Sequence, residues 1–159
     1  MFRFRKSSLI LGAALLVTGL ATSTKASDMD KKSYVTFAQS VEIPGAVLAP
    51  GEYVFKLVDE QLNRHIVQVT NTDETFVFST IVTIPSERIS RTSKTVFTYY
   101  EMPAGQPIAL KMWYYPGDLI GDEFAYSDSR GREISRITHQ QVPVVAALPK
   151  TATASSHSD

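Results

Sequence analysis

Residues 49–58, with the sequence APGEYVFKLV, decide the fold class of this chain. Pro50 and Gly51 suit the second and third places of a type II turn, because that turn needs a fixed negative φ followed by a positive φ. After the turn, Tyr53, Phe55 and Leu57 alternate with smaller or polar neighbours. A period of two predicts a strand with one face in the core and one face in water.

Similar alternating segments recur along the chain and are separated by short turns rich in proline, glycine, asparagine and aspartate. Residues 76–84 are apolar on both faces and predict a central strand, which we expect to end at Pro85 because proline donates no ladder hydrogen bond. The pattern predicts an all-β fold over residues 27–127. We expect a single antiparallel β-sandwich of about eight short strands.

The chain changes character after residue 127. Residues 128–141 are polar, with Ile134 and Ile137 three positions apart, which predicts one short helix, although Gly131 has a low helix propensity. Residues 142–148 are apolar and contain Pro143, so an extended segment is expected there. Residues 149–159 are rich in Ser, Thr and Ala and predict a disordered tail.

The first 26 residues have the composition of a secretory signal peptide. Three basic residues come before an apolar run that is shorter than a membrane span, and a small-x-small site follows at Thr24-Lys25-Ala26. We expect cleavage after Ala26 and a mature protein in the periplasm or outside the cell. The alternative is an uncleaved anchor. With cleavage, contact with the membrane is limited to the signal peptide.

Charge and cysteine content exclude several classes of function. The chain has 16 basic and 16 acidic residues, and removal of the signal peptide leaves 12 basic against 16 acidic, a net charge of −4. An acidic mature domain without clustered Lys and Arg argues against a nucleic-acid partner. The chain has no cysteine. Thiol catalysis, thiolate metal sites and disulfides are therefore absent, and no cofactor is indicated.

An aromatic run at residues 113–115 is the first candidate site. Strand alternation places Trp113 and Tyr115 on one face and Tyr114 on the core face. With Tyr99 nearby, Trp113 and Tyr115 could form a platform on which sugar rings stack. The alternative is that they pack in the core, since aromatic side chains dominate such cores by their size.

The second candidate is the acidic loop with Asp118, Asp122 and Glu123. Three carboxylates between glycines could bind calcium, although their spacing is not that of a helix–loop–helix site, and a solvated turn has the same composition. Asp118 and Glu123 could also act as an acid/base pair if a cleft held them at a defined separation. His65 is the third candidate, and a histidine beside apolar neighbours is more often structural. The fourth candidate is the set of Arg88, Arg91 and Lys94 in a long loop, which could form an anion-binding patch or be an ordinary solvated loop.

The order of several segments resembles a group of small, uncharacterised exported bacterial proteins. The residues that carry the resemblance are VEIPG at 41–45, LAPGEYVFKL at 48–57, RHIVQV at 64–69 and WYYPGD at 113–118, with Gly121 and Glu123. It extends over most of residues 33–142 and implies a helix near residues 128–141. The group has no assigned function, so the resemblance implies no activity, substrate or cofactor.

No motif in the chain indicates catalysis, so no catalytic or metal-ligating residue is assigned. We expect an exported, non-enzymatic binding or structural module of the cell envelope, with a protein or glycan as its partner. The alternative is a carbohydrate-binding or carbohydrate-active protein. Such a protein would use Trp113, Tyr115 and Tyr99 together with Asp118 and Glu123.

Overall fold

A computed structural model of the protein describes residues 31–58 and 65–145, and the backbone of residues 22–27. Strands make up most of this part of the chain, and one short helix follows the main sheet. The elements are β1 (Thr22–Ser27), β2 (Lys32–Phe37), β3 (Val41–Ile43), β4 (Ala46–Leu48), β5 (Gly51–Leu57), β6 (Ile66–Thr70), β7 (Val77–Glu87), β8 (Val96–Tyr100), β9 (Ile108–Tyr114), β10 (Ile120–Phe124), β11 (Tyr126–Ser127), α1 (Asp128–Thr138) and β12 (Val144–Val145).

Ten of the strands in the described residues form one sheet, in the order β1-β2-β5-β6-β7-β10-β9-β3-β4, and β8 also pairs with β9. The all-β class and the short C-terminal helix are confirmed. The antiparallel arrangement is confirmed only in part, because β3 runs parallel to β9. A second pair, β11 and β12, is also parallel.

The sheet folds over so that its two ends face each other through their side chains. Phe55 in β5 packs against Phe97 in β8, Trp113 in β9 and Phe124 in β10, with ring centroids 5.0, 6.4 and 6.3 Å apart. In the sheet order, β5 and these three strands lie on opposite sides of β7. Direct packing between them therefore requires the sheet to fold near β7, and one core fills the space enclosed.

The residues that begin β5 form a strand, but their turn differs from the prediction. Gly51 is the first residue of β5 and does not have a positive φ, so the type II turn at Pro50 and Gly51 is wrong. The glycine that has the required geometry is Gly45, with φ of 88°, after Pro44 in the turn between β3 and β4. The Pro-Gly dipeptide occurs three times in the chain, at residues 44–45, 50–51 and 116–117. Gly45 and Gly117 have a positive φ, and Gly51 does not.

Pro85 does not end the central strand, because β7 continues to Glu87. Arg88 donates its backbone N–H to Leu119, and Ala125 donates its own to Val82, so the even-numbered residues of this part of β7 form the hydrogen-bonded pairs with β10. Pro85 lies opposite Asp122 in a pair of residues that exchange no backbone hydrogen bond. A missing N–H therefore costs the ladder nothing here, and the predicted boundary is wrong.

The helix α1 packs closely on the sheet and on the segment after it. The guanidinium of Arg130 donates two hydrogen bonds to the Glu42 carboxylate, at 2.7 and 2.5 Å. Gly131 is buried, and a Cβ at this position would overlap the side chain of Val144 in β12. The glycine that weakens the helix prediction therefore allows the close approach of β12.

Several predictions concern residues beyond the described part of the chain. Residues 1–21 of the predicted signal peptide, residues 146–148 and the predicted disordered tail at 149–159 all lie outside it. Residues 22–26, at the end of the predicted signal peptide, form most of β1. Cleavage after Ala26 would remove them and leave β2 as an edge strand. Among the described helices, none has the length and apolar character needed to cross a membrane.

Gly121 in β10 is required by the packing of Tyr114. The Tyr114 ring lies directly over this glycine, and a Cβ here would overlap the ring and lie 2.8 Å from the carbonyl oxygen of Trp113. The guanidinium of Arg88 lies 4.7 Å from the centroid of the same ring. Gly121 thus keeps a large outer-face side chain flat against the sheet.

We expect Gly121→Ala to lower the free energy of unfolding by about 1–3 kcal/mol, because the added methyl group forces Tyr114 or the β9 backbone to move. The measurement is urea denaturation followed by circular dichroism. Gly51→Ala is the matched control, since a Cβ there lies 3.6 Å from its nearest neighbour, which is an ordinary contact. Equal stability of the two variants would contradict the packing described.

Candidate functional site

Trp113 belongs to the core and not to a surface platform. Its side chain is 1% exposed, and its indole nitrogen donates a 3.2 Å hydrogen bond to Oγ of Ser33 in β2. Tyr115 is half-buried with its ring 6.4 Å from that of Trp113, and Tyr99 is half-buried against the core. Burial raises the pKa of Tyr99 to about 12. The condition for a sugar-stacking platform, an exposed Trp113, is not met.

A bulge explains why simple alternation assigns Trp113 to the wrong face. Thr98 and Tyr99 of β8 pair with Met112 and Leu110, so Lys111 has no partner in β8. The extra residue reverses the alternation within β9. Leu110 and Trp113 consequently both point into the core, although they are three residues apart. Tyr114, predicted as core, is buried instead on the outer face beside Gly121.

The acidic loop is divided between two sides of the sheet. Asp122 and Glu123 are neighbours in β10, so their side chains point to opposite faces. Asp122 shares the inner face with its partner Trp113, whereas Glu123 lies opposite Met112 on the outer face. Asp118 forms a 2.8 Å ion pair with Lys31. The three predicted carboxylates therefore do not converge, and among the described residues no group of three His, Cys, Asp or Glu could hold a metal ion.

The structure instead brings residues from distant strands together around a cavity at one end of the folded sheet. We call this cavity, of about 420 Å³, the mouth. It lies where the end of β5, the start of β6, the end of β7 and the start of β10 meet. Its lining consists of Lys31, Leu57, His65, Pro85, Glu87, Arg91 and residues 118–122.

The most unusual group in the mouth is the carboxylate of Asp122. It accepts a 2.6 Å hydrogen bond from Oγ1 of Thr83, which is itself buried. Burial is the main cause that raises the pKa of Asp122, opposed by the Thr83 hydrogen bond and by the nearby side chains of His65 and Lys31. The ionised form is therefore less well solvated than that of an ordinary surface aspartate.

Two arginines hold the rim of the mouth through backbone carbonyls. Arg88 donates to the carbonyl oxygen of Asp118 at 2.9 and 2.7 Å, and Arg91 donates to that of Gly117 at 2.7 Å. Gly117 has a positive φ of 83°, as the turn after Tyr115 requires. The predicted anion patch is thus occupied by the loop's own carbonyl groups.

Four of the polar residues singled out in the sequence line the mouth together, namely His65, Arg91, Asp118 and Asp122. Within the described residues no hydrogen bond joins one of them to another. Glu123 lies elsewhere, in a second cavity that it shares with Lys111 and the residues after α1. The acid/base pair of Asp118 and Glu123 therefore has no common cleft.

The sequence interpretation missed Lys31 and Glu87, which line the mouth, and Thr83, which donates a hydrogen bond to Asp122. Thr83 lies on the inner face of a strand predicted to be apolar on both sides. Its position opposite Phe124 becomes visible only when the pairing of β7 with β10 is known. The hydroxyl of Thr83 within the apolar run at residues 76–84 is the one signal in the sequence that could have indicated a buried polar group with a hydrogen-bond partner.

A scan against family models, a search of curated proteins and a search of solved structures each find no match to this chain. The resemblance to small exported bacterial proteins stays a prediction.

We expect the single tryptophan to report its burial directly. Emission from native Trp113 should lie to the blue of that from the unfolded chain, and iodide should quench it several-fold less than in urea, because a charged quencher does not enter a close-packed core. The measurement is a Stern–Volmer titration in both states. Quenching of the native protein comparable to that of the unfolded chain would restore the exposed platform.

Proposed function

We propose that the protein is an exported, non-enzymatic binding module of the cell envelope, that it folds as a β-sandwich, and that its ligand site is the mouth. One observation carries the proposal. The mouth is a cavity of about 420 Å³ in which the half-buried Asp122 carboxylate adjoins the apolar side chains of Leu57, Leu119 and Ile120. Apolar walls with a few fixed polar groups are the usual composition of a ligand pocket.

The second cavity is larger but offers less to a ligand. It has a volume of about 710 Å³ and lies beside β9, β10 and the segment after α1. Its Lys111 donates a 2.8 Å hydrogen bond to Gln140, and its Glu123 is hydrogen-bonded to Tyr100. Polar groups already paired within the protein gain little from a ligand, so we favour the mouth.

Binding is favoured over catalysis by the arrangement of the titratable groups. A general base needs a partner within hydrogen-bond reach of the proton that it moves. Within the described residues the Asp122 carboxylate has Thr83 as its hydrogen-bond partner, and Asp118 has Lys31. The arrangement supports holding a ligand more directly than activating a nucleophile.

Export predicts a mature chain that begins at Ser27. We expect intact-mass measurement of the protein, expressed from its full sequence in an exporting bacterium, to show loss of residues 1–26, because Thr24 and Ala26 supply the small residues that signal peptidase accepts. Ala26→Arg is the control and should retain the full-length mass. Recovery of the uncleaved unmodified chain would contradict export by this route.

We expect the mouth to bind small amphipathic molecules. The probes are 1-hexylamine, 1-hexanol and hexanoate, each titrated into the ¹⁵N-labelled exported protein. At least one should shift the amide signals of Leu119, Ile120 and Asp122 in a saturable manner, because these residues line the cavity.

Ile120→Trp should weaken that binding by roughly fivefold or more, because the larger side chain fills the cavity opening. Val47→Trp is the matched control, since Val47 is 59% exposed and Ile120 is 61% exposed, but Val47 lies in β4 away from the mouth. The proposal fails if no probe shifts the mouth signals, or if both variants weaken binding equally.

A further inference from the structure

The lining of the mouth has three carboxylates, Glu87, Asp118 and Asp122, against the two side chains Lys31 and Arg91. Lys31 pairs with Asp118, and Arg91 is directed to the carbonyl oxygen of Gly117. Among the described residues, Asp122 has no cation within ion-pair distance, and Glu87 lies on the same lining. His65 is exposed and influences Asp122 only through longer-range attraction. The mouth therefore has an excess of carboxylate.

The direction of the Asp122 side chain makes this carboxylate available from the cavity. Asp122 lies on the inner face of β10, two residues before Phe124, whose side chain is in the core. Because side chains alternate between the two faces of a strand, Asp122 points to the same inner face as Phe124. It lies where the core ends and the mouth begins. Thr83 Oγ1 supplies one hydrogen bond at 2.6 Å. A carboxylate can accept several more.

The walls around Asp122 limit the kind of molecule that can reach it. Leu57, Pro85, Leu119 and Ile120 supply apolar surface. An anionic head group would approach the carboxylates of Glu87 and Asp122, and the two cations of the lining are already engaged, Lys31 with Asp118 and Arg91 with Gly117. A fully polar cation would leave the apolar walls unfilled. A molecule with an ammonium head and a short hydrocarbon body satisfies both conditions.

We propose that the mouth binds a primary amine, with its ammonium group on the Asp122 carboxylate and its hydrocarbon part against Leu57, Leu119 and Ile120. This inference rests on the proposed function, since it names the ligand class of the same cavity. An ammonium group can donate three hydrogen bonds. It supplies Asp122 with a directly contacting cation, which no described side chain provides, and charge-assisted hydrogen bonds are among the stronger polar contacts.

The head-group series tests the inference on the unmodified protein. We expect hexylamine to bind at least about tenfold more tightly than hexanol. This ratio is in the range expected for a hydrogen bond between charged groups in a partly buried site. Hexanoate should bind more weakly than either. Nα-acetyl-lysine methylamide distinguishes the source of the amine. Binding at least as tight as that of hexylamine indicates a lysine side chain, and weaker binding indicates a free amine; both support the inference.

The matched variants are Asp122→Asn and Glu123→Gln, which remove adjacent charges from opposite faces of β10. Asn still accepts the hydrogen bond from Thr83, and unchanged Trp113 emission will confirm that the variant is folded. Asp122→Asn should weaken hexylamine binding about tenfold or more and leave hexanol binding unchanged. Glu123→Gln should change neither.

The outcomes separate the two proposals. If hexanol or hexanoate binds in the mouth as tightly as hexylamine, the binding site stands and the amine inference is overturned. If hexylamine keeps its affinity in a folded Asp122→Asn variant, the inference is also overturned. If none of the probes shifts the mouth signals, the proposed function itself fails.

Discussion

The packing of Phe55 against the aromatic side chains of the opposite end of the sheet is the contact on which the rest of the structure depends. The chain has no cysteine, so no covalent bond holds the sheet in its folded-over form. Burial of one such ring contributes about 1.5–3 kcal/mol, and Phe55 meets three aromatic partners. The indole N–H of Trp113 would be costly in this core without an acceptor, and Ser33 provides one from the facing strand.

The mouth is a direct consequence of this closure. When the two ends of the sheet face each other, the inner face continues beyond the last core residues. The positions at the strand ends then meet over a space that none of the described side chains fills. The carboxylate of Asp122 lies at that level because it is two residues from the buried Phe124 on the same face of β10. The ion pair of Lys31 with Asp118 then joins β2 to the loop before β10 across the rim. The alternation of side chains along β10 thus places Phe124 in the packed core and Asp122 at the open polar end.

Local sequence patterns predict the elements of this fold better than its register. The alternation of Tyr53, Phe55 and Leu57 identifies β5, and the spacing of Ile134 and Ile137 identifies α1 despite Gly131. The turn chemistry is correct in kind but assigned to the wrong copy, because Pro-Gly specifies a tight turn only where the flanking strands pair with each other, as β3 and β4 do. These are local properties, and the remaining errors concern pairings between distant segments.

Two pairings between distant segments explain why the sequence predicts the end of β7 and the face of Trp113 incorrectly. Proline is tolerated in β7 because the backbone nitrogen of Pro85 does not point towards β10. The pairing of β7 with β10 decides which residues of β7 donate hydrogen bonds to that strand, and Pro85 is not one of them. Lys111 is extra in β9 because of the bulge against β8, and this single residue moves Trp113 from a predicted surface to the core. The candidate site has the same origin, since His65, Thr83 and Asp122 are far apart in the chain and converge only through the strand order.

The position of Asp122 also bears on why the mouth is more than a gap between strand ends. An apolar side chain there would extend the core, whereas a carboxylate loses solvation and regains only part of it from Thr83. Accepting the hydrogen bond of the buried Thr83 hydroxyl is a structural role for this residue, and it uses one of the several acceptor positions of the carboxylate. A ligand that brings a positive charge into the mouth would interact with the Asp122 carboxylate in place of the water that burial has removed. This interaction would contribute to the free energy of binding. Under the proposed function the remaining acceptor positions of Asp122 serve binding, whereas Phe124 on the same face of β10 is explained by packing.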